Sequence, residues 1–459
     1  MRDGRSVTSS DAAAGALRRV VVPLLVVLLF GDYLILSASR AATGSVGNWT
    51  MCVAGLQLAA LAVLVVLGDL RRELMTAPVL ACLAFGGLFA AHHVWWLVDG
   101  APMHDYATQK TFAWFGLCLP ALFLGLALGR RRELPGGAWF WVAFAPLLAM
   151  CAVAVAIDPD WLTIAHFDRM AVLFGALVLP AHQPLAYCLT KGSLYCFARI
   201  GSHSVRDMRW WMHTAVVCLA LGLVLMSGAR TYLLGALLAL GVLMLFSRRR
   251  AGVAVLAGAG AVFAVQSLAT SGLHDRIDPT QALESASFQE RTEGFALAVD
   301  AFLAAPLLGQ GPGGFAIHGG WYARAYPHNL VLEMLAETGV VGALAMLVVC
   351  VVLVRALRRL WRARANLDPV QAFAIGLLVF SAVAVMAVGD LIRNHFLFLA
   401  VGLTLASARR AVATVTLPAN APRRSSSSGL SPLPSTASAS ASVRRNPRRS
   451  VGPLVGGRT

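Results

Sequence analysis

Long apolar runs separated by short polar segments dominate the chain. Twelve of them are long enough, or nearly so, to cross a bilayer, which takes about 20 apolar residues in a helix. They cover residues 20–39, 51–68, 77–98, 112–129, 138–157, 169–187, 211–226, 230–247, 252–268, 330–354, 370–388 and 391–408. The pattern therefore predicts an all-α integral membrane protein with about twelve transmembrane helices.

The composition excludes a water-soluble fold and gives no sign of a nucleic-acid-binding protein. Hydrophobic residues make up 58% of the 459 residues and charged residues only 13%, too few for a polar shell. The net charge of +16 comes from short basic clusters between apolar runs, which is typical of membrane topology. The eight cysteines lie mostly inside apolar runs and predict neither a disulfide framework nor a metal site.

The distribution of lysine and arginine predicts that both termini are cytoplasmic. With an N-in orientation, 30 of the 38 basic residues, including Lys191, fall in cytoplasmic segments. Residues 1–19 then form a cytoplasmic N-terminus, 20–268 carry helices one to nine, and 269–329 form one long outside loop. Residues 330–410 carry the last three helices. The Ser-, Pro- and Arg-rich residues 411–459 form a disordered cytoplasmic tail.

The long outside loop has internal organisation that suggests a functional site. Residues 287–303 alternate apolar and polar positions in the manner of an amphipathic helix. A glycine-rich stretch, 306–315, follows and formally matches G-x-G-x-x-G through Gly309, Gly311 and Gly314. No strand precedes it, so we reject a dinucleotide site and expect a tight backbone path instead.

Three side chains on the sparsely charged side are candidates for chemistry. Arg230 begins the eighth run, Arg291 opens the amphipathic segment, and His328 directly precedes the tenth run. Each has an ordinary structural alternative: the arginines could snorkel to headgroups, and the histidine could be a satisfied structural residue. Their shared location favours a function.

The stretch from His328-Asn329 to Gly339-Val340-Val341-Gly342 resembles the signature of the O-antigen ligase and polymerase superfamily. Motifs of the same superfamily are also resembled by the Pro306–Phe315 stretch, by Ser227-Gly228-Ala229-Arg230 and by Arg291. Together the resemblance covers roughly residues 210 to 355. The resemblance implies a bacterial inner-membrane enzyme with a periplasmic active site and no metal or cofactor. It implies a glycan donor on undecaprenyl diphosphate and, for a ligase, lipid A–core as acceptor.

The chemistry of the residues fits that resemblance. Arg230 and Arg291 would neutralise the diphosphate leaving group, because guanidinium groups pair well with phosphate oxygens. His328 would accept the proton of the attacking hydroxyl, and direct attack would invert the anomeric configuration. Weaker supporting candidates, each with an equally simple structural role, are Asn329, Arg324, Glu337 and Arg393.

Four functions stay open at this point. A lipid A–core ligase is favoured because a single long loop carries the His-Asn motif. An O-antigen polymerase and a protein O-oligosaccharyltransferase share the motif and differ in acceptor. A membrane transporter is the non-enzymatic alternative, but the charged residues gather at one surface and the halves show no repeat.

Overall fold

The computed structural model describes residues 55–56, 58, 75–99, 105–132, 134, 137–157, 182–226, 229–246, 260, 286–318, 326–364, 367–387 and 394–416. All regular structure in this part of the chain is helical, which confirms the all-α class. The first two predicted runs, the ninth run and the C-terminal tail lie wholly or almost wholly outside the described residues.

The helices follow the apolar runs closely. In chain order they are α1 (Ala77–Asp99), α2 (Asp105–Ala113), a π-helical turn (Trp114–Cys118), α3 (Leu119–Gly129), α4 (Gly137–Ile157), α5 (His182–Ile200), α6 (Met208–Met226), α7 (Arg230–Phe246), α8 (Ala286–Ala304), α9 (Gly314–His318), α10 (Leu330–Arg362), α11 (Pro369–Ala387) and α12 (His395–Thr416). The π turn joins α2 to α3 without a break, so Tyr106–Gly129 forms one continuous rod.

Five of these rods are long and apolar enough to cross a membrane. Within the described residues they are Ala77–Asp99, Tyr106–Gly129, Met208–Leu225, Leu330–Arg362 and Pro369–Ala387. Membrane-spanning helices are thereby confirmed, whereas the total of twelve spans stays a prediction. A helix is present at 287–303 as expected, as α8, whereas its amphipathic character stays a prediction.

The prediction for the sixth run is wrong at its C-terminal end. The run was expected to stop at residue 187 and to leave Lys191 in a cytoplasmic segment. Instead α5 continues to Ile200, and Lys191 is 1% exposed within it. The helix packs against α6, α7 and α11, so its polar residues are shielded by neighbouring apolar helices.

Small residues allow α3 and α12 to pack very closely at the centre of the bundle. Gly125 and Gly129 are spaced four apart on α3; Gly125 faces Gly402 of α12, and Gly129 faces Leu403 and Ala406 one turn further along α12. A Cβ atom at Gly402 would collide with the backbone of Leu122 and Leu126. This small-residue contact is a common way to join helices inside a membrane, because burial from water is absent there and close contact replaces it.

The contacts between helices define two ends of the bundle. At one end, which we call the site end, α1, α2, the 306–314 turn and the start of α10 meet. At the opposite end, Arg410 of α12 forms an ion pair of 2.8 Å with Asp368. Ser407 there donates a hydrogen bond to the Gly129 carbonyl oxygen. α10 therefore begins at the site end, whereas α11 begins and α12 ends at the opposite end; the alternation of all the expected spans stays a prediction.

Candidate functional site

A break in α10 organises the site end. Gly339 has φ 60° and ψ −160°, which interrupts the helix at its tenth residue. The turn from Pro306 to Gly311 docks onto this break. Val340 N–H donates to the Pro306 carbonyl at 2.9 Å, and Gly311 N–H donates to the Glu337 carbonyl at 3.0 Å. The hydrogen bonds that the broken helix loses are therefore replaced by the turn.

The glycines of this turn permit its conformation, as the sequence predicted. Gly309, Gly311 and Gly313 all have positive φ, the left-handed region that side chains disfavour. A Cβ atom at Gly311 would lie 2.6 Å from the Trp96 ring. His92 of α1 also donates from Nε2 to the Leu308 carbonyl at 3.0 Å. The turn is therefore fixed between α1 and α10.

A buried ionic network holds the same turn from below. Lys110 of α2 is fully buried and pairs with Glu333 and with Glu337 Oε1, the latter at 2.6 Å. Glu337 Oε1 also accepts the Gly313 N–H at 2.9 Å. The ammonium thereby offsets the repulsion between two carboxylates that lie one helical turn apart. One carboxylate oxygen joins α2, α10 and the glycine-rich turn.

This network corrects one argument made from the sequence. Charged residues were expected to gather at the surface, and that expectation counted against a transporter. Lys110, Glu333, Glu337 and Lys191 are instead buried inside the bundle. Glu337, a weak supporting candidate, has a defined structural contact, while Lys110 and Glu333 were missed. The i, i+4 spacing of the two glutamates was the only available signal.

His328 and Asn329 have different local roles at the start of α10. Asn329 is the N-cap residue, and its Oδ1 accepts the N–H groups of Val331 and Leu332 at 3.0 and 3.1 Å. His328 immediately before it has φ 56°. Left-handed backbone at a residue other than glycine is uncommon and often accompanies a functional site. The N-cap at Asn329 and the left-handed backbone at His328 together fix the position from which the imidazole side chain extends.

Tyr326 connects His328 with Arg291. Its ring meets the imidazole edge-on, with 4.6 Å between ring centroids. Arg291 of α8 is half-buried, and burial lowers the pKa of its guanidinium, while the nearby Tyr326 phenol acts in the opposite direction. Two of the three principal candidates thus share one neighbour, Tyr326, which no feature of the sequence pattern distinguishes.

The remaining candidates differ in what can be said of them. Arg230 is the first residue of α7, and Tyr232, two residues later, packs against Tyr187 with ring centroids 5.5 Å apart. Its approach to His328 stays a prediction. Arg324 and Arg393 lie outside the described residues. In the described part of the chain, no group of three or more His, Cys, Asp or Glu side chains could hold a metal ion.

Comparison with known families agrees with this arrangement. Residues 215–347 match the family model described as O-antigen ligase, a stretch that includes α7, α8, the glycine-rich turn and the start of α10. Over this stretch the chain is similar to the O-antigen ligase superfamily, which confirms the resemblance found in the sequence. The match supports a glycosyl-transfer role in O-antigen assembly. No curated protein matches the chain.

Proposed function

We propose that the protein transfers a glycan from undecaprenyl diphosphate to a hydroxyl group of lipid A–core, as an O-antigen ligase. The observation that carries this proposal is the grouping of Arg291, Tyr326 and His328 before the start of α10, the helix that also holds the glycine-rich turn. A phosphate-binding cation and a proton acceptor are the two groups that such a transfer needs. The family match over the same residues supports it.

The proposed reaction is a single displacement. The acceptor oxygen attacks the anomeric carbon, the bond from that carbon to the diphosphate oxygen breaks, and His328 takes the hydroxyl proton. Arg291 and Arg230 bind the undecaprenyl diphosphate that leaves with the bonding electron pair. Attack opposite the leaving group inverts the anomeric configuration.

The site end would face the periplasm of the bacterial inner membrane, with both termini in the cytoplasm. This orientation follows from the basic clusters at the opposite end, such as Arg358, Arg359 and Arg362 near the end of α10. Charge neutralisation by arginine would make the reaction independent of metal ions. We therefore expect transfer to continue in the presence of a chelator, and strong inhibition would contradict that part of the proposal.

Gene deletion in the host separates the ligase from the related enzymes. A ligase mutant should lack all polymer on lipid A–core and accumulate lipid-linked polymer, as seen by gel analysis of lipopolysaccharide. Core that carries a single repeat would identify a polymerase instead. Unchanged lipopolysaccharide with altered glycoproteins would identify a protein O-oligosaccharyltransferase.

A further inference from the structure

Lys191 is a buried cation in a helix where the sequence predicted a cytoplasmic loop. It is the tenth residue of α5, nine positions from either end, so its Cα lies about 14 Å along the helix from each terminus. The residues before and after it, Thr190 and Gly192, are buried as well. A buried ionisable side chain is costly, and inside the helix bundle of a membrane protein it usually marks a functional site.

The Lys191 ammonium group points toward the site end. Nζ lies 3.7 Å from the centroid of the Phe396 ring and 4.8 Å from that of Tyr187. Tyr187 precedes Lys191 by one helical turn, as expected for a helical side chain that leans toward the N-terminus. Phe396 is the second residue of α12. The ammonium therefore lies where α12 begins.

Aromatic contacts join this position to the first turn of α7 and to the candidate site. The Tyr187 ring packs against Tyr232, two residues after Arg230, and against Phe396 at 5.6 Å. Phe398, two residues further along α12, packs against Trp114, which lies one turn after Lys110. The Lys191 ammonium is thus at the end of the bundle that holds the glycine-rich turn, beneath the start of α7.

We propose that Lys191 is a further phosphate-binding residue of this site and contacts the diphosphate of the lipid-linked donor from below Arg230. The inference rests on the proposed function. A lysine is a compact point charge that pairs with single phosphate oxygens, and its attraction to an anion is greater inside the bundle than in water. Tyr187 and Phe396 hold the ammonium in place through their ring faces.

The test uses the full-length protein in nanodiscs and radiolabelled geranylgeranyl diphosphate as the probe. Lys191→Met should weaken probe binding at least about tenfold, which corresponds to about 1.4 kcal/mol. Its resistance to unfolding should be unchanged or greater, because methionine suits the apolar surroundings. Lys191→Arg should keep most of the affinity. The matched control, Arg206→Gln, removes an exposed charge from the turn at the other end of α5 and should bind normally.

Three outcomes would overturn the inference. Normal probe binding by Lys191→Met would do so, and so would equal weakening in the Arg206→Gln control, which would indicate a general charge effect. The third arm adds phosphatidylglycerol to phosphatidylcholine nanodiscs. Competition with the probe in the wild type but not in Lys191→Met would assign the lysine to lipid headgroups instead.

Glycan transfer measured on the same samples distinguishes this inference from the proposed function. If the wild type binds the probe and transfers glycan while Lys191→Met does both equally well, only the role of Lys191 is wrong. If the wild type neither binds the probe nor transfers glycan, the proposed function fails, and the inference fails with it.

Discussion

Replacement of Lys110 by methionine should destabilise the protein more than loss of a surface charge could. Lys110 and Glu337 are 0% and 1% exposed, and their charged atoms are 2.6 Å apart. At an effective dielectric constant of about 20, one such pair attracts by about 6 kcal/mol, while burial costs several kcal/mol per ion. Removing the ammonium leaves two carboxylates buried together, and we expect a loss of about 3–5 kcal/mol of unfolding free energy.

A neutral triple variant isolates the cause of that loss. Lys110→Met combined with Glu333→Gln and Glu337→Gln removes every charge, and the new glutamine at 337 retains an oxygen that can accept the Gly313 N–H. We expect this variant to recover most of the stability and part of the transfer activity. The free energy of unfolding of both variants is measured by equilibrium unfolding of the purified proteins with SDS in mixed micelles.

Two results would refute this reasoning. A single variant within about 1 kcal/mol of the wild type would mean that the network contributes little to the fold. A triple variant as unstable as the single one would mean that lost packing of the lysine stem, and not the uncompensated charge, causes the effect.

Three further substitutions test the contact between α3 and α12, the N-cap of α10 and the role of the Tyr326 ring. Gly402→Ala should destabilise the bundle strongly because its Cβ would collide with α3, whereas Gly87→Ala, with open space around its Cβ, should be neutral in the same SDS titration; equal effects would contradict the close contact. Asn329→Ala should cost about 1 kcal/mol of stability and lower the transfer rate, and Asn329→Ser should restore both; no loss in the alanine variant would remove the capping role. Tyr326→Phe should keep the ring contact with His328 and most of the activity, whereas Tyr326→Ala should lower the turnover rate more than it weakens donor binding. An unchanged turnover rate in Tyr326→Ala would show that the ring does not position His328.

The apolar runs predicted the described helices well where the runs are uninterrupted. The run at 77–98 became Ala77–Asp99, and the run at 138–157 became Gly137–Ile157. The length of the apolar run determines the length of both helices, so the sequence alone is sufficient to predict their bounds. The tenth run was expected to end at 354, but α10 continues to Arg362, because its basic last turns remain helical beyond the apolar stretch.

Buried charges account for the errors. The fourth run was expected to begin at residue 112, yet α2 already begins at Asp105, because the charge of Lys110 is neutralised by glutamates more than 220 positions away. Lys191 was placed in a cytoplasmic segment for a similar reason, and its aromatic neighbour on α12, Phe396, is more than 200 positions away in sequence. A sequence pattern shows the charge but not the partners that make its burial possible.

The candidate site was predictable only in part. The motif that carries His328 and Arg291 lies within the stretch that matches the family model, whereas the roles of both residues stay predictions. Tyr326 has no distinguishing spacing, and the break at Gly339 looked like part of an uninterrupted span. Both features depend on how the 306–314 turn docks against α10, which is a tertiary contact.

The role of His328 as the proton acceptor is tested most directly by glycan transfer with purified protein in vesicles that contain the lipid-linked donor and lipid A–core. His328→Asn is the informative variant, because asparagine tolerates the left-handed backbone at φ 56° but is not a base. If His328 is the base, this variant should transfer glycan about 10²–10⁴-fold more slowly than the wild type, with unchanged resistance to SDS. A transfer rate close to that of the wild type would contradict it.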